Sequence, residues 1–262
     1  MMPAYRSLWI SDVHLGTRAC RAADLLSCLD TVRAERIYLV GDIIDLERIK
    51  TRPNFPEAHQ RVVYRLIELA AEGTDILYIP GNHDFEFRRA VGQRLLGIPI
   101  VLEAVHITPG GKRMLVTHGD ILDGRIREGT NLQSFGATAY RLLMEIDVLI
   151  NRLRQSLGRD AFSICASLKR HLASANEYIR RFETVAADYA RERGFDGIVC
   201  GHIHRPRVRM IGNCLYANDG DWVEHGTALA ERADGNLDML EVHSGKLRIQ
   251  QVQAESTVQA AA

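Results

Sequence analysis

The chain of 262 residues is poor in cysteine, and its five cysteines show no pairing pattern. They are odd in number, widely spaced and without a Cys-x-x-Cys pair: Cys20, Cys28, Cys165, Cys200 and Cys214. A disulfide framework or a cysteine zinc site requires closely or regularly spaced pairs. We therefore expect reduced thiols and assign the chemistry to other side chains.

The sequence also lacks an excess of one charge and a long apolar run. Lys and Arg together number 33, as do Asp and Glu, so the formal net charge is zero. No overall field attracts nucleic acid or a membrane, and an anionic partner must be bound locally. The longest apolar stretch, residues 142–150, is interrupted by Glu145 and Asp147 and is too short to span a bilayer. The apolar run 8–10 is too short for a signal peptide, which predicts a cytoplasmic protein.

Hydrophobic residues make up 46% of the chain and charged residues 25%, as in an ordinary globular protein. Short apolar runs alternate with amphipathic stretches over the first two hundred residues, which predicts an α/β fold. We predict helices over 22–34 and 57–72. We predict strands near residues 5–10, 37–40, 76–79, 113–117 and 197–200, each followed by polar residues or glycine. Ligands of open α/β sheets bind beyond the carboxyl ends of the strands, where the loops converge.

The rest of the chain divides into a helical and a strand-rich part. Residues 121–193 carry apolar side chains at three- and four-residue steps, which predicts a helical insert or cap on the sheet. Short apolar runs separated by turn signals follow residue 207 and predict a second sheet. We therefore expect one domain over residues 1–253 that includes the insert, and a flexible tail at 254–262.

Five blocks of polar residues follow the predicted strands. They are Asp12-x-His14, Gly41-Asp42, Gly81-Asn82-His83-Asp84, His118 and Gly201-His202-x-His204. Any one of them can arise by chance, and a single buried histidine is more often a hydrogen-bonded core residue than a ligand. Five blocks at five strand ends are explained together by one site.

The donors of this set indicate a divalent metal. They are imidazole nitrogens with carboxylate and amide oxygens, which suit Mn²⁺, Fe²⁺ or Zn²⁺ and do not suit Ca²⁺. The seven candidate ligands exceed the needs of one tetrahedral zinc ion: Asp12, His14, Asp42, Asn82, His118, His202 and His204. Two ions fit if one carboxylate bridges them, and such a pair can polarise a phosphoryl group and acidify a water.

In this order the five blocks resemble the signature of the calcineurin-like metallophosphoesterase family over nearly the whole chain. The resemblance implies an α/β fold of two mixed β-sheets in a sandwich flanked by helices. It implies two divalent metal ions as cofactors, Mn²⁺ first and Fe²⁺ or Zn²⁺ as alternatives. One ion would be held by Asp12, His14, Asp42 and His204, and the other by Asp42, Asn82, His118 and His202.

The same resemblance implies the catalytic residues. In family members, a water or hydroxide that bridges the metals attacks phosphorus in line, without a protein nucleophile. His83 would face the substrate and stabilise the developing charge or protonate the leaving oxygen. Asp84 would orient the His83 imidazole through a charge-assisted hydrogen bond.

Three further features resemble the bacterial enzymes that hydrolyse UDP-2,3-diacylglucosamine to UMP and 2,3-diacylglucosamine 1-phosphate in lipid A synthesis. They are the opening Asp12-Val13-His14-Leu15, the size of the insert, and Trp222 shortly after the last block. In that group the insert binds acyl chains. The best-known branch has arginine in place of His83, so a paralogue with another substrate is an alternative.

Two other functions stay open at this point. A nuclease or cyclic-nucleotide phosphodiesterase of the same family would suit the Gly-Asn-His-Asp block equally, although the zero net charge argues against nucleic acid as a partner. A non-catalytic scaffold would be expected to lose block residues, and this chain keeps them all. The expected partners are a nucleotide-linked glycolipid substrate and, through the basic excess of the insert, anionic lipid at the inner face of the membrane.

Several polar residues lie outside the blocks. Asn218-Asp219-Gly220-Asp221 is more typical of a turn than of a site, although it follows a C-terminal strand that could place it near the metals. Asp45 and Asp120 are expected in turns or beside the ligands. The remaining histidines are expected to be structural or on the surface: His59, His106, His171, His225 and His243.

Overall fold

Two six-stranded sheets form the framework of the protein, whose structure is a computed structural model that describes residues 3–128 and 173–256. The first sheet consists, in spatial order, of β13 (Lys246–Val252), β12 (Leu237–His243), β11 (Thr227–Glu231), β1 (Ala4–Ile10), β2 (Arg33–Val40) and β3 (Asp75–Ile79). Strands β1, β2 and β3 are parallel, whereas β11 is antiparallel to β1. The sheet is therefore mixed, with its parallel half at the N-terminal part of the chain.

The second sheet is also mixed. It consists, in spatial order, of β14 (Glu255–Ser256), β9 (Arg207–Ile211), β10 (Cys214–Asn218), β8 (Gly197–Cys200), β7 (Arg113–Val116) and β6 (Ala104–Ile107). Its three central strands, β10, β8 and β7, are parallel to one another. Their carboxyl ends therefore point to the same edge of the sheet.

Strand β1 shows how the sequence builds two cores. Its side chains alternate between the two faces of the sheet, because successive residues of a strand point in opposite directions. Leu8 and Ile10 pack in a core with α1 (Ala22–Thr31) and α3 (Glu57–Ala71). Trp9, between them, packs in a second core that contains side chains of both sheets. This confirms the predicted sandwich of two mixed sheets flanked by helices.

The helices of the first core present one apolar face each. In α1, Leu25 and Leu29 are four residues apart and buried, and in α3 the same holds for Val62 and Leu66. This spacing places each pair on one side of its helix, since a helix turns once in 3.6 residues. Charged side chains such as Asp30 of α1 and Glu68 of α3 lie on the exposed faces.

Several boundaries differ from the sequence predictions. The first helix ends at Thr31 and not at residue 34, because residues from Arg33 onward pair with β1 as strand β2. The tail predicted from residue 254 begins later, since Glu255 and Ser256 pair with β9; residues 257–262 lie outside the described part. Short elements that the sequence did not predict are α2 (Leu46–Thr51), a 3₁₀ helix (Phe85–Ala90), β4 (Arg94–Leu95), β5 (Ile98–Pro99) and β6.

The predicted insert is described at its two ends, by α4 (Leu122–Glu128) and α5 (Ala173–Glu192). The chain divides into two compact units, Leu122–Val185 and the remainder. Two of the basic residues of the insert, Arg180 and Arg181, form ion pairs with Glu177 one turn earlier in α5. Residues 129–172 of the insert lie outside the described residues. Among the described helices, none combines the length and apolar character that crossing a bilayer requires.

Candidate metal centre

Backbone hydrogen bonds join the loops that follow four of the strands in two pairs. The loop after β1 is joined to the loop after β2, since Asp12 N donates to Gly41 O at 3.0 Å and His14 N donates to Asp42 O at 2.9 Å. In the second sheet, Gly201 N donates to His118 O at 3.1 Å. These bonds bring the polar blocks of separate strands to fixed positions.

Five of the seven candidate ligands adopt backbone angles that are rare for residues other than glycine. Their φ values are 51° for Asp12, 53° for His14, 54° for Asp42, 69° for His202 and 50° for His204. Each such residue costs about 1–3 kcal/mol and persists only where the surrounding structure imposes it. Strain concentrated in this way is typical of a functional site.

The first group of donors consists of Asp12, His14 and His204, whose ligand atoms lie within 4.8 Å of one another. His204 Nε2 lies 3.1 Å from Asp12 Oδ1, and His14 Nε2 lies 3.9 Å from the same oxygen. All three side chains come from loops, those after β1 and β8. The group offers one carboxylate and two imidazoles to a single cation.

The second group consists of Asp12, Asp42 and His118. His118 Nε2 lies 3.4 Å from Asp42 Oδ2 and 3.3 Å from Asn82 Oδ1. The same Asp42 oxygen lies 3.9 Å from His14 Nε2 of the first group. Asp42 therefore stands between the imidazoles of the two groups.

His202 is positioned through its backbone and its ring. Its N–H donates to Asp12 Oδ2 at 2.8 Å, and its ring stands edge-on to His118 with the centroids 5.2 Å apart. All seven residues that the sequence singled out as ligands are therefore brought to one place. Asp12 belongs to both of these groups, and His14 also belongs to a third group, with Asp45 and His83; the sequence predicted neither overlap.

The electrostatics of the centre fit a divalent cation. Burial lowers the pKa of His14, but the hydrogen bond to Asp45 and the carboxylates of Asp42 and Asp12 outweigh burial and raise it to about 9. Burial also lowers the pKa of His118. The carboxylates of Asp42 and Asp12 outweigh burial and raise the pKa well above its ordinary value. A field that favours a proton on these imidazoles also favours a cation beside them.

An unpartnered buried atom supports the same interpretation. His14 Nε2 is buried and has no hydrogen-bond partner among the described residues. It lies 3.9 Å from both Asp12 Oδ1 and Asp42 Oδ2. Buried polar atoms are rarely left without a partner, and a metal ion would supply one here.

Asp45, and not Asp84, contacts the imidazole of His83. Asp45 Oδ2 lies 3.1 Å from His83 Nδ1 and 3.4 Å from His14 Nδ1. The contact that we expected between Asp84 and the His83 ring is absent from the described structure. Asp84 is completely buried on the other side of the loop and accepts hydrogen bonds from Tyr78 Oη at 2.5 Å, Gly81 N at 2.6 Å and Ile43 N at 2.9 Å. It therefore joins the loops after β2 and β3.

Ser11 and Asp219 form a contact behind the metal ligands. Ser11 Oγ lies 2.6 Å from Asp12 Oδ2 and 2.7 Å from Asp219 Oδ1, and all three side chains are buried. The segment that carries Asp219 therefore reaches the centre through Ser11, while Asn218 Nδ2 donates to Gly201 O at 2.7 Å. The only sequence signal that placed this segment near the centre was its position after β10.

The comparisons with known proteins agree with this site. Residues 5–206 match the family model described as calcineurin-like phosphoesterase. A protein of Xanthomonas campestris pv. campestris (strain B100) named UDP-2,3-diacylglucosamine hydrolase is 28% identical over 248 residues, covering 87% of this chain and 96% of the relative. A protein of the same name from Stenotrophomonas maltophilia (strain K279a) is 27% identical over 256 residues, covering 89% of this chain and 98% of the relative.

Among solved structures, the phosphoesterase Yfce from E. coli shares the fold. It is 18% identical to this chain, with a TM-score of 0.50, and the match covers 94% of this chain and 97% of that protein. The family model spans all five polar blocks, and the structure brings their donors together. The chain belongs to the calcineurin-like phosphoesterase family and is a metal-dependent phosphohydrolase.

Proposed function

We propose that this protein hydrolyses UDP-2,3-diacylglucosamine to UMP and 2,3-diacylglucosamine 1-phosphate with the help of two divalent metal ions. The observation that carries the substrate is the likeness to relatives of that name, which extends over 96% of their length. The family model alone, which ends at residue 206, supports only the phosphoesterase class. The metal centre supplies the chemistry, and the substrate class follows from the relatives.

The two-metal proposal is supported by the position of Asp42 between His14 and His118. One ion would be held by Asp12, His14, Asp42 and His204, and the other by Asp42, Asn82, His118 and His202. We propose Mn²⁺, with Fe²⁺ or Zn²⁺ as alternatives, because the donors are nitrogen and oxygen without sulfur. When bound, such a pair polarises the phosphoryl oxygen and acidifies a water.

His83 is proposed to protonate the leaving oxygen. Its side chain is 21% exposed, and its Nδ1 faces Asp45 Oδ2 at 3.1 Å, which leaves Nε2 for the substrate. A carboxylate beside Nδ1 fixes the orientation of the ring, so that Nε2 is the nitrogen that would give a proton to the leaving group. Asp45 thus takes the positioning role, whereas Asp84 holds the loops from which Asp42 and His83 project.

The substrate is tested by measuring UMP release from UDP-2,3-diacylglucosamine, UDP-N-acetylglucosamine and a cyclic nucleotide in the presence of Mn²⁺. We expect release from the diacylated substrate far above the other two. His83→Ala should lower kcat by about 100-fold or more with the metals still bound, since a general acid contributes about 10²–10⁴. Equal rates on the two sugar nucleotides, or hydrolysis of the cyclic nucleotide alone, would assign the protein to another substrate of the family.

The bridging role of Asp42 is tested by elemental analysis. Asp42→Ala should lose affinity for both ions, whereas His14→Ala and His118→Ala should each weaken one more than the other. Two ions retained by Asp42→Ala would contradict the bridge.

A further inference from the structure

A pocket lined by arginines lies where the loop that follows the first polar block meets α2. Its volume is about 240 Å³, compared with the roughly 30 Å³ that one water occupies in the liquid. Three of the residues that line it are arginines, and the others are small or polar: Arg18, Arg48 and Arg52, with Gly16, Pro53 and Asn54. We call this the arginine pocket.

The packing of one glycine builds the arginine pocket. Gly16 follows the first polar block and has φ +106°, and a Cβ there would lie 2.6 Å from Cγ1 of Ile49 in α2. Only glycine allows the loop to lie this close to the helix. Gly16 N also donates to Nδ1 of the buried His59 at 2.9 Å. The loop that carries Arg18 is thereby fixed against the helix that carries Arg48.

The pocket is connected to the catalytic side chains through Asp45. One carboxylate oxygen of Asp45 accepts from Arg48 N at 2.7 Å, and the other faces His14 and His83. Gly16 is two residues beyond His14 in the chain. The pocket is therefore formed by the loop that continues from His14 and by the helix that Asp45 caps.

Three arginines line this pocket, and arginine is a residue that binds phosphate. Each guanidinium offers a planar fork of N–H donors that matches two oxygens of a phosphate. A second phosphate of the same substrate carries further negative charge, which cationic side chains outside the metal centre can neutralise. This protein has no net positive charge, which means that such cations must be local.

We propose that the arginine pocket binds the second phosphate of a nucleoside diphosphate-linked substrate while the first occupies the metal centre. The proposal rests on the proposed function, since it assigns the two phosphates of that substrate to two places. The pocket thereby selects diphosphates over simple phosphodiesters. Arg18 lies in the loop after β1, and Arg52 directly follows α2.

Calorimetric titration of the Mn²⁺-loaded protein tests this, with UMP and the non-hydrolysable α,β-methylene analogue of UDP as probes. We expect the analogue to bind about tenfold more tightly than UMP, as a charge-assisted hydrogen-bond pair would give. Arg18→Gln and Arg52→Gln should each reduce that ratio to about threefold or less and leave UMP binding unchanged. Arg52→Lys should restore part of the ratio, since it keeps the charge and loses the fork.

Arg61→Gln is the matched control, since Arg61 is an exposed arginine of α3 that does not line the pocket. It should keep the wild-type ratio. A wild-type ratio near one, or an unchanged ratio in both pocket variants, would overturn the proposal. A third outcome would also overturn it. The UMP-saturated protein would bind inorganic phosphate only when the pocket arginines are present, while the pocket variants would still bind the analogue more tightly than UMP. The ligand of the pocket would then be free phosphate. These are binding constants, so failure to release UMP from the diacylated substrate would refute the proposed function separately.

Discussion

At the scale of single residues, Ser11 contacts more hydrogen-bond acceptors than its one hydroxyl proton can serve, and the protonation state of Asp219 explains how. Its hydroxyl lies within 2.7 Å of two carboxyl oxygens, those of Asp12 and Asp219, yet it has one proton to donate. Burial, reinforced by the charge of Asp12, raises the pKa of Asp219 well above its usual range. A protonated Asp219 donates to Ser11, and Ser11 then donates to Asp12. These hydrogen bonds fix the orientation of the Asp12 carboxylate in the candidate metal centre.

Substitution of Asp219 tests this chain. Asp219→Asn keeps a donor for Ser11 and should hold metal affinity within about threefold of wild type, whereas Asp219→Ala should weaken it by about 10–100-fold. Metal affinity is measured by competition with a chelating dye. Asp234→Ala, in an exposed turn where Asp234 accepts from Asn236, is the control and should have no effect. An equal loss in Asp219→Asn and Asp219→Ala would argue for a charged Asp219 instead.

The roles of Asp45 and Asp84 show what a sequence cannot predict at this scale. Asp84 is next to His83 in the chain, and adjacency made it the expected partner of that imidazole. Neighbouring side chains in such a loop point in different directions, and Asp84 is directed inward to Tyr78. The actual partner, Asp45, is 38 positions away, and only the convergence of the loops after β2 and β3 reveals it.

At the scale of elements, the strand ends require glycine where the loops cross closely. Gly41 has φ +83°, and a Cβ there would lie 2.4 Å from Cγ of His118. His118 cannot move away freely, because its Nδ1 is 2.8 Å from Val40 O. Gly41 of the second block therefore leaves the space that the side chain of His118, in the fourth block, occupies.

Gly41→Ala and Gly73→Ala separate backbone strain from displacement of the ligand. Both glycines have positive φ, but a Cβ at Gly73 would meet no described atom within 4 Å. Each substitution should lower the free energy of unfolding by about 1–2 kcal/mol, measured by urea denaturation. Only Gly41→Ala should also lose metal affinity, measured by elemental analysis. Full metal content in Gly41→Ala would show that His118 can shift without leaving the site.

The sequence predicted the long strands well, since these depend on local patterns. The strands near 5–10 and 76–79 are found within one residue of their expected ends. The segment from Phe85 to Pro99 was missed because its elements are too short to show a period. Tertiary contact decides them: Ile100, just after this segment, is buried and bridges to Tyr78 of β3.

At the scale of the whole molecule, the free energy of unfolding should depend on pH. The carboxylates of the candidate centre favour either a proton on the neighbouring imidazoles or a bound metal ion, but not both at one nitrogen. The pKa of His14 is raised from 6.5 to about 9 in the folded protein. In metal-free protein, the charged imidazole therefore contributes stability that is complete below about pH 6.5 and is lost as the pH rises through about 9. The free energy of unfolding should fall over this interval.

Urea denaturation with a chelator and with Mn²⁺ provides the measurement. With the metal bound, the trend should reverse, because deprotonated imidazoles bind the metal more tightly. His14→Gln should flatten the metal-free curve, whereas His243→Gln, at a histidine whose side chain is 54% exposed, should leave it unchanged. Metal-free protein that gains stability between pH 6.5 and 9 would contradict the charge state assigned to His14.

At the scale of the whole molecule, removing the insert tests the proposed substrate. We assign phosphoester hydrolysis to the metal centre and acyl selectivity to the insert, so the two should be separable. We propose that the insert recognises the acyl chains, since the relatives named for the diacylated substrate match this chain over 96% of their length. Replacing residues 129–172 with a short Gly/Ser linker should lower kcat/KM for UDP-2,3-diacylglucosamine by about 100-fold. Three to four buried methylenes at about 0.8 kcal/mol each give that factor.

Hydrolysis of bis-p-nitrophenyl phosphate, which has no acyl chain, should be unchanged. Circular dichroism and elemental analysis should show that the shortened protein is folded and metal-loaded. If both substrates lose activity equally in that folded protein, the insert supports catalysis in general and acyl recognition must be sought elsewhere.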